Sequence, residues 1–168
     1  MSDTTGSMNF IQRRRYLRNQ RREEFKKIIR PIMQNLRVQE MKRYNHHSQT
    51  NCLAHSLHVA YCNYVVCRKF GWDAEAGAKA GLLHDMFLYD WHTHKRDTGE
   101  RLHGFTHPQR SLDNARKYFD LTLREEDIIR KHMFPLTISL PKYRETYVIV
   151  LTDKVCGAYE VMKNWVGR

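Results

Sequence analysis

Residues 50–85 read TNCLAHSLHVAYCNYVVCRKFGWDAEAGAKAGLLHD. Leu53, Leu57, Ala60, Tyr61, Tyr64 and Val65 recur at helical spacing, and Gly71 supplies a natural stop. Asp73 is placed to cap a second helix through Ala76, Ala80 and Leu83. The stretch therefore predicts a compact antiparallel helix pair that ends on the adjacent His84 and Asp85, with His55 inside the first helix. Adjacent residues cannot point the same way within a helix. At a helix C-terminus, however, the backbone can turn so that both side chains reach one ion.

Upstream, Asn9 to about Arg43 is made of good helix formers interrupted by Pro31, which suits the first turn of a new helix, so two short helices are expected. Residues 1–8, polar and small, are expected to be disordered. Downstream, MFLYDWHTHKRDTGERLHGF is rich in aromatics, histidines and charges and is broken by Gly99 and Gly104, the composition of a long loop. Pro108 then marks the first turn of a helix with Leu112, Ala115 and Phe119 inward. Thr122 and Glu125 form a capping box for the next, through Ile128, Ile129 and His132. A last helix is expected from about Glu145 to Trp165, with Tyr147 to Leu151 a buried helical turn rather than a strand. The expected fold is all-α, a compact single-domain helical bundle, with basic N-terminal helices over 9–43 packed on a domain over 44–168.

The bulk properties agree with one domain: 168 residues, 41% hydrophobic, can bury one substantial core but hardly two. The formal charge of +11 favours polyanionic partners at the level of encounter. Residues 1–43 hold twelve Lys and Arg against four Asp and Glu, so most of that excess sits at the front. Glu23 and Glu24 interrupt the basic run, which makes a solvated face the preferred reading and nucleic acid a less favoured partner. Cys52, Cys62, Cys67 and Cys156 contain no C-x-x-C pair, and neither a signal peptide nor a stretch of roughly 18 apolar residues is present. Reduced thiols in a cytoplasmic protein without a membrane partner are expected. Oligomeric state is not legible.

Ligand-type residues fall on or beside five different helices: His55, the His84-Asp85 pair, His107, His132 and Asp153. Imidazole and carboxylate together suit Zn, Mn, Fe, Co or Ni, and a set without cysteine argues for a catalytic site over a structural zinc knuckle. A His-Asp dipeptide alone is a weak signal, since it also describes a capped helix end. In company with the other four it points to metal ligation.

The motifs H-S-L-H-V-A at 55–60 and G-L-L-H-D at 81–85, with the later Asp153 in T-D-K, resemble the HD superfamily of metal-dependent phosphohydrolases over roughly residues 45–165. That resemblance implies an HD-type helical bundle in which His55, His84, Asp85 and Asp153 hold one metal. His107 and His132 look like the two additional histidines of dinuclear members, which would make Asp85 a bridge between two divalent transition-metal ions. The Gly-Tyr-Pro signature of one dinuclear branch is absent, so cyclic-di-GMP hydrolysis is not supported. H-D-M-F-L-Y-D-W with D-I-I-R-K-H-M-F-P-L-T also looks like a group of small bacterial HD proteins described as predicted hydrolases.

The implied activity is hydrolysis of a phosphomonoester or phosphoanhydride in a nucleotide or other small phosphorylated metabolite by a metal-activated water. Asp85 and, by proximity, Asp90 are the catalytic candidates. Lys131, Lys142 and Arg144 are candidates for substrate phosphate, with Arg130 and Lys154 beside them, although each taken singly reads as a surface charge. His58 is expected in the core or behind the ligands. His46 and His47 can line the pocket mouth, while His92, His94 and His103 read as solvated loop residues. Tyr61, Tyr64, Phe70 and Trp72 read as core, and Phe87, Tyr89 and Trp91 as a surface on which a nucleobase or apolar leaving group can pack. Gly157, on the face of Asp153, is a candidate for close helix approach. The alternatives are a mononuclear nucleotidase and a non-catalytic nucleotide or nucleic-acid binding module.

Overall fold

The computed structural model describes residues 9–47, 50–89 and 103–166. Among them run seven α-helices: α1 (Phe10–Met33), α2 (Leu36–Glu40), α3 (Cys52–Lys69), α4 (Ala74–Leu83), α5 (His103–Tyr118), α6 (Leu123–Lys131) and α7 (Arg144–Val166). One short antiparallel pair, β1 (Asn45–His47) and β2 (Thr50–Asn51), accompanies them, so the architecture is all-α.

Local chemistry sets the helix starts. Asn9 and Thr122 each close a full capping box, with Gln12 and Glu125 respectively. Asn51 accepts from the Ala54 amide and Asp73 from the Ala76 amide, each satisfying an amide that the first helical turn leaves without a partner. Gly71, at φ +68°, turns the chain between α3 and α4 in a conformation that side-chain-bearing residues rarely adopt.

The α3–α4 pair is the centre of the molecule, and glycines set its spacing. A Cβ on Gly77 would stand 3.1 Å from the Cys67 sulfur, and one on Gly81 would stand 2.8 Å from the Ala60 Cα. As the chain ascends α4 its partners descend α3, which is the antiparallel arrangement expected. Around this contact lie Val59, Ala60, Tyr64, Ala78, Ala80, Leu82 and Leu83, joined by Leu112 and Ala115 of α5, Ile128 and Ile129 of α6 and Ile149 of α7. Asp127 of α6 fixes the entry to α7 by accepting from the Lys142 and Tyr143 amides (3.0 and 3.3 Å) and from the Thr146 hydroxyl (2.7 Å).

Several expectations need correction. The segment expected as two short helices is one 24-residue helix followed by the five-residue α2. Pro31 lies in the last turn of α1, where the lost amide costs a single hydrogen bond just before the helix ends in any case. Pro108 sits inside α5, which begins five residues earlier at His103 and takes in Gly104. In the turn from Tyr147 to Leu151 only Val148 and Ile149 are buried, while Tyr147 and Leu151 face outward. Phe70 is exposed and stacks on Trp72 with ring centroids 5.1 Å apart. Close helix approach belongs to Gly81 rather than Gly157, which lines a cavity instead.

The basic helix α1 buries only its C-terminal half. Phe25, Ile29 and Ile32 are inside, with Phe25 edge-on to Tyr61 and tilted against Tyr64, whereas Phe10 and Ile11 are exposed. Arg68 pairs with Glu24, which also accepts from the Tyr64 hydroxyl at 2.8 Å. Among the described residues no helix is long and apolar enough to cross a membrane.

Candidate metal centre

Each helix brings its ligand-type side chain to the cluster by a recognisable local device. His84 is the C-cap of α4, and its Nδ1–H donates to the Gly81 carbonyl at 2.9 Å. His132 is the C-cap of α6 and repeats the arrangement, with Nδ1–H to the Ile129 carbonyl at 2.7 Å. In both, the carbonyl three residues back is one that a helix end leaves without an amide partner, and the ring satisfies it. The tautomer is thereby fixed and the Nε2 lone pair is turned toward the cluster, the usual arrangement behind a metal-bound imidazole.

Asp85 follows His84 where the chain turns out of α4, and its two oxygens face different neighbours. Oδ1 lies 3.3 Å from His107 Nε2 and 3.6 Å from His132 Nε2. Oδ2 lies 3.0 Å from His46 Nε2 and 3.5 Å from His84 Nε2. On the far side Asp153 Oδ1 is 3.0 Å from His55 Nε2 and 3.6 Å from His84 Nε2. His55 Nδ1 in turn contacts both oxygens of Glu160, at 3.1 and 3.2 Å. The six residues His55, His84, Asp85, His107, His132 and Asp153, from five helices or their ends, thus form one contiguous cluster.

Two observations test whether this set fits metal ions. First, His84 Nε2 and Asp85 Oδ1 are buried without a hydrogen bond, a costly condition for polar atoms. Second, two donors each about 2.1 Å from a common ion lie roughly 3.0–3.4 Å apart in octahedral or tetrahedral geometry, and the contacts above span 3.0–3.6 Å. Two of the ligand groups whose donor atoms lie within 4.8 Å of one another are His55, His84, Asp153 and His84, Asp85, His132. The cluster therefore could hold metal. His107 Nε2 and His132 Nε2 approach to 2.8 Å, which is also a hydrogen-bonding distance.

The electrostatics agree with a site built for positive charge. Burial alone would raise the pKa of Asp85, but His84, His107 and His46 outweigh it and hold the carboxyl well below its usual range. Asp153 is likewise held well down, against its burial, by His55 and His84. Burial pushes His55 toward neutrality, yet Asp153 and Glu160 raise it to about 9. His84 is also raised against its burial, by Asp85 and Asp153. His132 goes the other way: burial, then the neighbouring His107 and His84, push it down to about 3, so it stays neutral.

A cavity of about 650 Å³ opens onto the cluster, within the usual size for small-molecule sites. Asp85, His107, His132 and Asp153 lie on its wall, with His46 at the side. Phe87, Met133, Val161 and Met162 make much of the rest apolar, and Lys154 contributes a cation. Tyr89 packs against Phe87, ring centroids 5.1 Å apart. Asp90, with Trp91, His92 and His94, lies outside the described residues.

The three cations expected at substrate phosphate stand away from this cavity. Lys131 pairs with Asp127 at 2.5 Å and reaches the Leu140 carbonyl. Lys142 and Arg144 line a separate shallow hollow with Asp73, Arg124 and Glu145. Lys154, one residue beyond Asp153, does line the cavity, with its ammonium donating to the Phe134 and Val150 carbonyls at 3.2 and 3.1 Å.

Glu160 was not singled out from sequence, and His46, which does line the cavity as expected, reaches further into the cluster than that expectation. Glu160 stands seven residues after Asp153, two helical turns along the same face, and that spacing was the available signal. His46, expected only at the pocket mouth, stacks on His55 with ring centroids 3.6 Å apart. The β1–β2 pair and the bond from the Cys52 amide to the Tyr44 carbonyl bring it there, a local turn without periodic signature. His58, expected in the core or behind the ligands, has an exposed side chain 4.0 Å from Glu160. Compared with known proteins, the chain matches no family model and no curated protein.

Proposed function

We propose that this protein is an HD-type, metal-dependent phosphohydrolase with two metal positions, acting on a nucleotide or another small phosphorylated metabolite. The observation that carries the reading is Asp85. Its carboxylate is buried, held ionised and directed by one oxygen toward His107 and His132 and by the other toward His84 and His46. That is the placement required of a bridging ligand. The order of motifs along the chain, H-S-L-H-V-A, then G-L-L-H-D, then T-D-K, gives the family resemblance its support.

Divalent ions held by His55, His84, Asp85, Asp153, His107 and His132 would supply Lewis acidity toward a phosphoryl group and an activated water as nucleophile. The chain supplies the rest. Asp85 and Asp153 provide negative charge that needs no proton removed at neutral pH. Glu160 orients His55 through Nδ1, and the Gly81 and Ile129 carbonyls orient His84 and His132. Lys154 lines the cavity beside Asp153 and would meet a phosphate there by leaving the Phe134 and Val150 carbonyls that its ammonium now contacts, and the apolar wall around Phe87 suits a base or another uncharged part of a substrate.

The mononuclear reading rests on the direct His107–His132 contact, which would persist if one ion sat between His55, His84, Asp85 and Asp153. Elemental analysis of manganese-loaded protein separates the two: about two ions per fully loaded chain are expected, falling to one in His132→Ala. Protein loaded with Mn, Co, Ni, Zn or Fe is then assayed on nucleotides, dinucleoside polyphosphates and sugar phosphates. Phosphate release that disappears in Asp85→Asn is expected. Metal-loaded protein that turns over nothing, or full turnover in Asp85→Asn, overturns the proposal.

A further inference from the structure

Outside this cluster, α3 and α7 bring together a second group of different chemistry. His58 and Cys62 stand four residues apart on one face of α3, one and two turns beyond His55. Cys156 meets them from α7, three residues after Asp153. The donor atoms of His58, Cys62 and Cys156 all lie within 4.8 Å of one another. We propose that these three residues form a separate, thiolate-rich zinc site that pins α3 to α7.

The geometry distinguishes this from a disulfide and matches the spacing a shared ion requires. The Cys62 and Cys156 sulfurs are 3.9 Å apart. Two thiolates on one tetrahedral zinc, each about 2.3 Å from it, stand roughly 3.8 Å apart, whereas a disulfide requires about 2.05 Å. The sulfurs thus sit at the edge length of a zinc tetrahedron, with His58 facing that edge. Sulfur ligands select zinc over manganese or magnesium, so this site and the His/Asp cluster differ in metal preference.

Exposure grades across the group. Cys156 is buried, Cys62 is half-buried, and the His58 side chain is 42% exposed, so an ion can enter from solvent and a fourth position is open to water. The Cys156 thiol donates to Cys62, a contact that lowers Cys62 and raises Cys156. Binding converts two thiols to thiolates and releases two protons to solvent, with His58 coordinating as the neutral ring. Glu160 touches both sites, 3.1 Å from His55 Nδ1 and 4.0 Å from His58 Nδ1. An ion here would therefore fix the two helices that carry His55 and Asp153.

Cobalt(II), a spectroscopic stand-in for zinc, tests the site in the full chain kept reduced with a phosphine. The His/Asp cluster contains no sulfur ligand, so a sulfur-to-cobalt charge-transfer band reports on the new site whatever becomes of the hydrolase reading. The band is expected in the wild type and in His84→Ala, absent in Cys62→Ser and Cys156→Ser, and discharged by stoichiometric zinc. His58→Ala should weaken cobalt binding by roughly tenfold or more. Because Cys62 is half-buried, Cys62→Ser should keep the fold, and its circular dichroism checks this. Absence of the band in the reduced wild type, or its persistence in Cys62→Ser, overturns the proposal.

Discussion

Replacing Gly81 by Ala perturbs the fold and the candidate site through one atom. The new Cβ would lie 2.8 Å from Ala60 Cα, 3.0 Å from Asn63 Nδ2 and 3.2 Å from the Ala60 nitrogen. The closest and the third are backbone atoms of α3, which cannot rotate aside, so the helices must part. Overpacking of this kind costs about 1–3 kcal/mol, and contact with backbone places it at the upper end. Against this, Ala is favoured over Gly in a helix by up to about 1 kcal/mol. The net is a loss of about 1–2 kcal/mol, or a Tm lower by roughly 2–8 °C for a chain of this size. Gly77→Ala is the internal control. Its nearest neighbour is the Cys67 sulfur at 3.1 Å, a side chain that can turn, and it should fall within about 1 kcal/mol of the wild type. Because the Gly81 carbonyl also holds His84 Nδ1, Gly81→Ala should weaken metal binding while Gly77→Ala should not. Thermal unfolding by circular dichroism and metal titration read both effects. Equal Tm and equal metal affinity for Gly81→Ala and the wild type would refute the assignment of this contact.

Further outcomes follow from the same structure. Asp85→Asn should lower the manganese content measured by elemental analysis from about two ions to one or fewer, since both oxygens face ligand groups; two ions retained would refute the bridging role. Metal affinity should rise with pH up to about 9 and binding should release protons, because His55 is held charged below that value; calorimetry in buffers of different ionisation enthalpy checks this. In the metal-free protein the raised His55 stabilises the fold fully below its ordinary 6.5 and that contribution is lost as pH rises through about 9, while the depressed Asp85 and Asp153 stabilise it above their ordinary 3.8 and lose that contribution in acid. Urea unfolding across this range should show a maximum between those limits, and a stability that climbs from pH 7 to 9 would contradict it. Asp127→Ala leaves the Thr146 hydroxyl and two amides at the entry to α7 without their acceptor, and should cost about 2–3 kcal/mol in urea unfolding; a loss under about 0.5 kcal/mol would refute the role given to Asp127.

Periodicity made the helix pair and its caps legible, because Leu53 to Val65 and Asp73 to Leu83 each satisfy a helical pattern with its own start and stop. The same pattern placed His55, His84, Asp85, His107, His132 and Asp153 on or beside separate helices, though only the packing could show that they converge. Tertiary contact decides what pattern cannot. Pro31 was read as a boundary because proline opposes helix interiors, yet burial of Phe25, Ile29 and Ile32 carries α1 through it. Lys131, Lys142 and Arg144 have the right charge, but Asp127, Tyr143 and Trp72 hold them on other surfaces. Lys154 reaches the cavity because it follows Asp153 on the same helix. Glu160 was readable at two turns from Asp153, whereas His46 depends on a hairpin too short to leave a pattern.

The two imidazoles that close α4 and α6 draw their aim from carbonyls of their own helices, Gly81 and Ile129. Each is set by a bond complete once its helix is formed, so these two candidate ligands are aimed by folding and not by an ion. A chain built this way can mature in two separate events, folding first and metallation later. If the proposed ions bind, their identity follows from which metals are abundant and exchangeable around the finished protein, and one and the same fold can be recharged with a different metal without being unmade.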